Sequence, residues 1–264
     1  MKLKRRALSD EGFSTGRAAR SGRLRGGILP GGSFPARKLR VVRPMFLYMI
    51  LYLISFFLIE HWNRLHYTVI HTALDDHIPF LPVFIIPYLL WFPYVAGFAV
   101  FLLMKNEEAY HRLCAVLAIG MTIFVAVSIV FPNIHLMRPE TMPVDNVFTR
   151  MISLLYLADT PTNLTPSIHV FNSLGITAAA WQWNWQTDDG YSYSPLVRNF
   201  WRAGITALGL LISLSTMLIK QHSFSDVVIA AVLFLFVHIL VYRFDFVFAG
   251  RHRLPALRLR SIRS

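Results

Sequence analysis

His222 and Asp226 lie four residues apart, so on a helix their side chains stack on one face. A carboxylate so placed accepts the proton of one imidazole nitrogen, fixes the tautomer and leaves the other nitrogen basic. Such an imidazole is a competent nucleophile. A second histidine, His169, follows Pro166-Ser167 at the start of an apolar run. A helix beginning there would turn unpaired amides and the positive end of its dipole toward an anion. Ser167 suits the cap of that helix, a role compatible with phosphate binding. Arg138 and Lys220 add positive charge, and a guanidinium can hold two phosphate oxygens at once. Two histidines, one backed by a carboxylate, with cations and a helix N-terminus, make a site for phosphoryl transfer. Asp159 and Asn163 flank it as further lining candidates.

These residues need a scaffold, and composition names its solvent. Of 264 residues 55% are hydrophobic, 21 of them phenylalanine. Mean hydropathy is +0.49, and the apolar residues come in long blocks. A water-soluble domain of this length would expose too much apolar surface. Six stretches approach the roughly 20 apolar residues that cross a bilayer: 42–60, 81–104, 113–131, 168–185, 201–219 and 227–248. The fold expected is an all-α, integral-membrane six-helix bundle. Pro82, Pro87 and Pro93 predict a kinked second span. Trp62, Tyr67, Trp181, Trp183, Trp185 and Trp201 cluster at span ends, as an interfacial belt would require.

Charge sets the orientation. Residues 1–43 hold twelve Lys/Arg against Asp10 and Glu11, and 249–264 hold five arginines, so the net +12 lies in two tails. The Gly/Ser-rich N-terminal tail, 1–43, reads as disordered, and 249–264 as a second basic tail around a 44–248 membrane domain. Basic tails flanking spans suit an anionic cytoplasmic leaflet and argue against nucleic acid as partner. The loops at 105–112 and 186–200 join the tails on the basic side, which places both termini in the cytoplasm. The loops 61–80 and 132–167 carry only Arg64, Arg138 and Arg150 and fall on the other face. "HLMRPE" (135–140), "DTPTNLTPSIHVFNS" (159–173) and "STMLIKQHSFSD" (215–226) all meet that face.

Metal and cysteine chemistry have little footing. Cys114 is the single cysteine and sits inside a span. His61, His66, His71 and His77 share the first outer loop, but their spacing fits no compact ligand set.

The three stretches, in this order, resemble the signature motifs of the type 2 phosphatidic acid phosphatase superfamily, membrane lipid phosphatases and phosphotransferases with a six-helix core. The first motif is Lys, six residues, Arg-Pro; Arg138-Pro139 match and Phe131 stands at the lysine position. The second is Pro-Ser-Gly-His; Pro166, Ser167 and His169 match, with Ile168 for glycine. The third is Ser-Arg, five residues, His, three residues, Asp; Ser215, His222 and Asp226 match, with Thr216 for arginine. The resemblance covers about 45–248.

It implies a multi-pass protein of the plasma membrane with its active site on the non-cytoplasmic face. His222 attacks phosphorus to form a phosphohistidine, Asp226 orients it, and His169 protonates the leaving alkoxide and later activates water. Arg138 and the Ser167 region hold phosphate oxygens. Lys220, one turn beyond Thr216, would restore one missing charge. No cofactor and no metal is implied. The expected substrate is a phospholipid or a polyprenyl phosphate or diphosphate, hydrolysed at the membrane. The three departures point away from the commonest substrate and keep two other readings open. One is a head-group phosphotransferase like the inositol-phosphorylceramide or sphingomyelin synthases; the other is a catalytically silent lipid-binding relative. Nothing in the sequence sets an oligomeric state.

Overall fold

The computed structural model describes residues 36–62 and 66–244. Residues 1–35 and 249–264 of the basic tails, and Arg64, lie outside the described residues. The chain is mostly helical, and five helical segments in the described residues are long and apolar enough to cross a membrane. They are α1 (Ala36–Glu60), the interrupted segment Pro82–Lys105, α4 (Glu107–Val130), α7 (Pro195–Leu218) and α8 (Phe224–His238) with its π-helical continuation Ile239–Arg243.

α1 begins at Ala36, so residues 36–43, which charge alone assigns to the tail, form its first two turns. Lys and Arg are good helix formers, and Arg37 and Lys38 both reach Glu107 at 2.9 Å. Much of α1 is exposed apolar surface, including Leu47, Leu51, Phe57 and Leu58, as suits a helix facing hydrocarbon. The second span is broken as its prolines predict: a 3-10 turn at Pro82–Phe84, then α2 (Ile85–Leu89) and α3 (Trp91–Lys105). Pro87 and Pro93 each remove one intrahelical donor.

The fourth predicted span is α6 (Ile168–Gln182), only 15 residues long, or about 22 Å at 1.5 Å per residue. It is the most enclosed helix, packing against α4, α7, α8 and α3. Small residues let its neighbours approach: a Cβ at Gly120 of α4 would lie 2.0 Å from the Phe171 ring of α6. A main core of Tyr94, Phe98, Leu113, Leu117, Ile176 and Ile212 fills the space between α3, α4, α6 and α7.

One helix lies outside the expected spans. α5 (Val147–Ala158) lies in the stretch 132–167, which reads as a loop. Its start is a capping box, with Asn146 accepting from Phe148 and Thr149 amides while Thr149 Oγ1 accepts from the Asn146 amide. A parallel pair of two-residue strands, β1 (Thr68–Val69) and β2 (Asn133–Ile134), ties the loop after α1 to the loop after α4.

The two ends of the bundle are built differently. At one end, the α3–α4 turn and the 183–194 loop are joined by Asn106, Glu107 and Asp188. Trp183 and Trp185 fold inward there, 5% and 1% exposed, and stack at 4.8 Å. They belong to the core, whereas Trp181 and Trp201 remain more than half exposed, as the interfacial reading expects. At the other end the N-termini of α6 and α8 and the C-terminus of α7 meet the loops 66–81, 131–146 and 159–167.

Candidate functional site

That second end gathers the chemistry. α6 starts at Ser167, whose Oγ accepts from the Val170 amide at 3.4 Å, so Ser167 is the helix cap. Ile168 and His169 open the helix, where amides have no carbonyl one turn back. The His169 ring lies against Tyr88 and Trp91, with centroids 4.6 and 4.5 Å away, and its Nδ1 is buried without a hydrogen-bond partner.

The His222 ring sits 5.7 Å from the His169 ring. His222 Nδ1 is 3.5 Å from Asp226 Oδ2, within ion-pair reach and longer than a good N–H···O bond. Asp226 is held on both oxygens: Oδ2 accepts from the Ser223 amide at 2.9 Å, and Oδ1 accepts from Thr165 Oγ1. It serves both as the N3 residue of the α8 capping box and as the carboxylate behind His222. The backbone joins the two helix starts directly, because the Ser167 amide donates to the Asp226 carbonyl at 3.3 Å.

Local geometry at the end of α7 explains how His222 gets there. Lys220 has φ 54°, and its amide donates to the Met217 carbonyl at 3.0 Å while Gln221 donates to Thr216 at 2.8 Å. These are the two bonds of a Schellman turn, whose left-handed position usually holds glycine. A lysine there costs about 1 kcal/mol or more in backbone strain. The turn reverses the chain within two residues, and the His222 amide also bonds the Thr216 carbonyl at 3.0 Å.

The cations are engaged. Arg138 donates to the carbonyls of Asp159 (2.8 Å), Thr160 (3.1 Å) and Tyr156 (3.4 Å) and to Gln221 Oε1 (2.6 Å). Its guanidinium lies 4.3 Å from the Tyr156 ring centroid, and its Nε is buried without a partner. Burial lowers the Arg138 pKa, opposed chiefly by Asp159. Lys220 Nζ donates to the carbonyls of Asp75 (3.0 Å) and Ile78 (2.6 Å), which commits two of its three protons to the 66–81 loop. Burial lowers the Lys220 pKa as well, with Asp75 and Asp76 opposing.

The fold thus brings His169, His222, Asp226 and Ser167 together, with Arg138 linked to them through Gln221. It adds residues that motif spacing does not single out. Gln221 is buried, accepts from Arg138, and donates to Asp159 Oδ2 at 3.4 Å. His135 is buried, donates from Nε2 to the Gln221 carbonyl at 3.1 Å and accepts from the Met137 amide at 3.3 Å. Burial, with His222 and Arg138 nearby, pushes His135 down to about 4. It is a neutral structural imidazole at neutral pH. Asp159 is partly buried, and that burial raises its carboxyl to about 6 against the pull of Arg138. Asn133 Oδ1 accepts from the Leu164 and Thr165 amides at 2.7 and 3.1 Å, shaping the approach to α6. Asp75 joins from the 66–81 loop, accepting from Ser223 Oγ at 2.6 Å and the Phe224 amide at 2.7 Å. Gln221 and Ser223 flank His222, His135 opens the stretch "HLMRPE", and Asp75 opens the outer-loop stretch "DDHIPFLPVF", but spacing alone assigns none of them a partner.

The outer-loop histidines do not converge. His61 bonds the Phe57 carbonyl, His71 bonds Asp76 and His77 bonds the Ala73 carbonyl. At the three positions where the motif residues differ, Phe131 caps the end of α4, Ile168 packs on the main core, and buried Thr216 bonds the Ser213 carbonyl.

Comparison of the chain with family models, curated proteins and solved structures finds no match.

Proposed function

We propose that this multi-pass membrane protein is a lipid phosphatase of the type 2 phosphatidic acid phosphatase kind, acting through a phosphohistidine on His222. The observation that carries the reading is the meeting of His169 and His222 at 5.7 Å, with Asp226 at His222 Nδ1. Fifteen-residue α6 counts in this reading as a short sixth span, which leaves both termini in the cytoplasm and the site at the non-cytoplasmic face of the plasma membrane.

Asp226 addresses Nδ1 and leaves Nε2 of His222 to attack phosphorus. The P–O bond to the lipid breaks as the P–N bond forms, and His169 gives its proton to the departing oxygen. His169 then takes a proton from water, whose oxygen displaces His222 and releases phosphate. The opening amides of α6 and its dipole stabilise the phosphate oxygens. Arg138 contributes charge and its unpartnered Nε.

A specific observation favours a second reading, head-group transfer to a lipid alcohol. Arg138 already donates to three carbonyls and Gln221, and Asp159 stands beside it. A phosphodiester with one negative charge needs less cationic compensation than a dianionic monoester.

Purified protein is assayed against a panel of lipid monophosphates, diphosphates and phosphodiesters, with and without a lipid alcohol. Release of inorganic phosphate supports hydrolysis; a new phospholipid formed only with the alcohol supports transfer. His222→Ala abolishes either activity by at least about 10⁴-fold while helicity and melting stay unchanged. Wild-type turnover in that variant would rule the mechanism out, and an inert wild type would favour a lipid-binding relative.

A further inference from the structure

The loop 66–81 makes a reciprocal set of contacts with the turn that carries His222. Asp75 is 2% exposed, and its carboxylate accepts from Ser223 Oγ, the Phe224 amide, and the amide and hydroxyl of Thr72. Ser223 is the cap of α8 and Phe224 its first residue, so a residue nearly 150 positions away completes the start of that helix. In the other direction, Lys220 reaches out of its left-handed turn to the Asp75 and Ile78 carbonyls. Leu81 adds a backbone bond to Leu218 at 2.9 Å. His222 sits between the two anchored points, one residue before Ser223 and two after Lys220. A glycine would make the same turn without strain, so the lysine is explained by what its ammonium holds.

We propose that Asp75 and Lys220 form a latch that clamps the His222-bearing turn in its reactive position, making both of them positioning residues. The proposal rests on His222 as the nucleophile, and it assigns Lys220 to the latch in place of the phosphate. The carboxylate holds the α8 start, and with it Asp226; the ammonium holds the α7 end. Loss of either contact lets His222 drift relative to His169, and a displacement near 1 Å can lower turnover about 100-fold.

Asp75→Asn and Lys220→Gly are compared with wild type in the full chain. Lys220→Gly keeps the turn, because glycine is the preferred residue at φ 54°, and removes only the latch. Both variants are expected to lower kcat by about 10- to 100-fold with KM within about twofold, and to leave inhibition by inorganic phosphate unchanged. A raised KM and weakened phosphate inhibition in Lys220→Gly, with kcat intact, would make Lys220 a phosphate ligand and overturn the latch. So would wild-type kcat in both variants. Hydrogen exchange read on residues 219–227 gives an arm independent of turnover: it rises in both variants if the latch holds. Unchanged exchange overturns the latch even if the protein hydrolyses no lipid phosphate, and that inertness would count against the proposed function alone. If Asp75→Asn fails to fold, Lys220→Gly decides.

Discussion

Two arginines hold backbone carbonyls at opposite ends of the bundle. Arg202 donates to Ala180, Trp181 and Trp183, closing the C-terminus of α6. Arg138 donates to Tyr156, Asp159 and Thr160, closing the segment that leads into the N-terminus of the same helix. The same end holds a tryptophan–tyrosine cluster and ion pairs at the surface, such as Arg37 with Glu107. Around Arg138 lie buried titratable groups, and buried nitrogens of His169 and Arg138 have no hydrogen-bond partner. An unpaired buried polar atom is costly unless something binds it. Both ends keep such atoms, His238 Nδ1 and the Tyr242 hydroxyl lying at the end nearer Arg202, but at the Arg138 end they gather around two facing imidazole rings.

The difference can be tested in order of expected effect. His169→Ala lowers turnover of a monophosphate substrate by about 10²- to 10⁴-fold, and less for a diphosphate, whose leaving group needs less protonation. Steady-state rates across leaving groups measure this, and equal losses would remove His169 from the acid role. Arg138→Ala strands three carbonyls and Gln221, lowers thermal stability by about 2–4 kcal/mol and, by shifting the site it braces, lowers turnover about 100-fold. Arg202→Ala costs about 1–2 kcal/mol and leaves the specific activity of the folded protein within about twofold. Melting curves and assays on both variants check the pair; equal activity would break the comparison.

Asp159 supplies a pH test. Its carboxyl is raised to about 6 in the fold, so the folded state holds its proton more tightly than the unfolded chain. Stability therefore falls as pH rises from about 4 through 6, by about 1–2 kcal/mol once partial exposure is allowed for. Asp159→Asn removes that slope, read as a flatter melting temperature between pH 4 and 7 than in wild type. The smallest effect belongs to the basic end: Arg37→Ala changes stability by less than about 1 kcal/mol and leaves turnover unaltered, because its pair with Glu107 is exposed.

Much of the helical frame is legible in the chain, since apolar runs bounded by Pro and polar caps need no tertiary information. The spans expected at 113–131, 201–219 and 227–248 begin later than α4, α7 and α8, because apolar content misses the first turns that Asn106, Ser194 and Ser223 cap. The proline-rich second span breaks where Pro87 and Pro93 require it. α5 carries no apolar run of spanning length because it is short and sits among loops, although Asn146 and Thr149 mark its start. Trp183 and Trp185 read as interfacial residues and instead fill the core, because aromatic composition does not say which way a chain turns after its helix ends.

The sequence by itself determined the membrane-protein class, the start of α6 behind Ser167 and the local spacing that puts Asp226 one turn from His222. Those are properties of neighbouring residues, and helical periodicity alone sets them. Only the tertiary structure decided that His169 meets His222, that Asp75 completes the start of α8, and that Arg138 and Lys220 hold backbone carbonyls. Such contacts join residues from about 20 to about 150 positions apart, and they exist because buried polar groups must find partners wherever packing brings them.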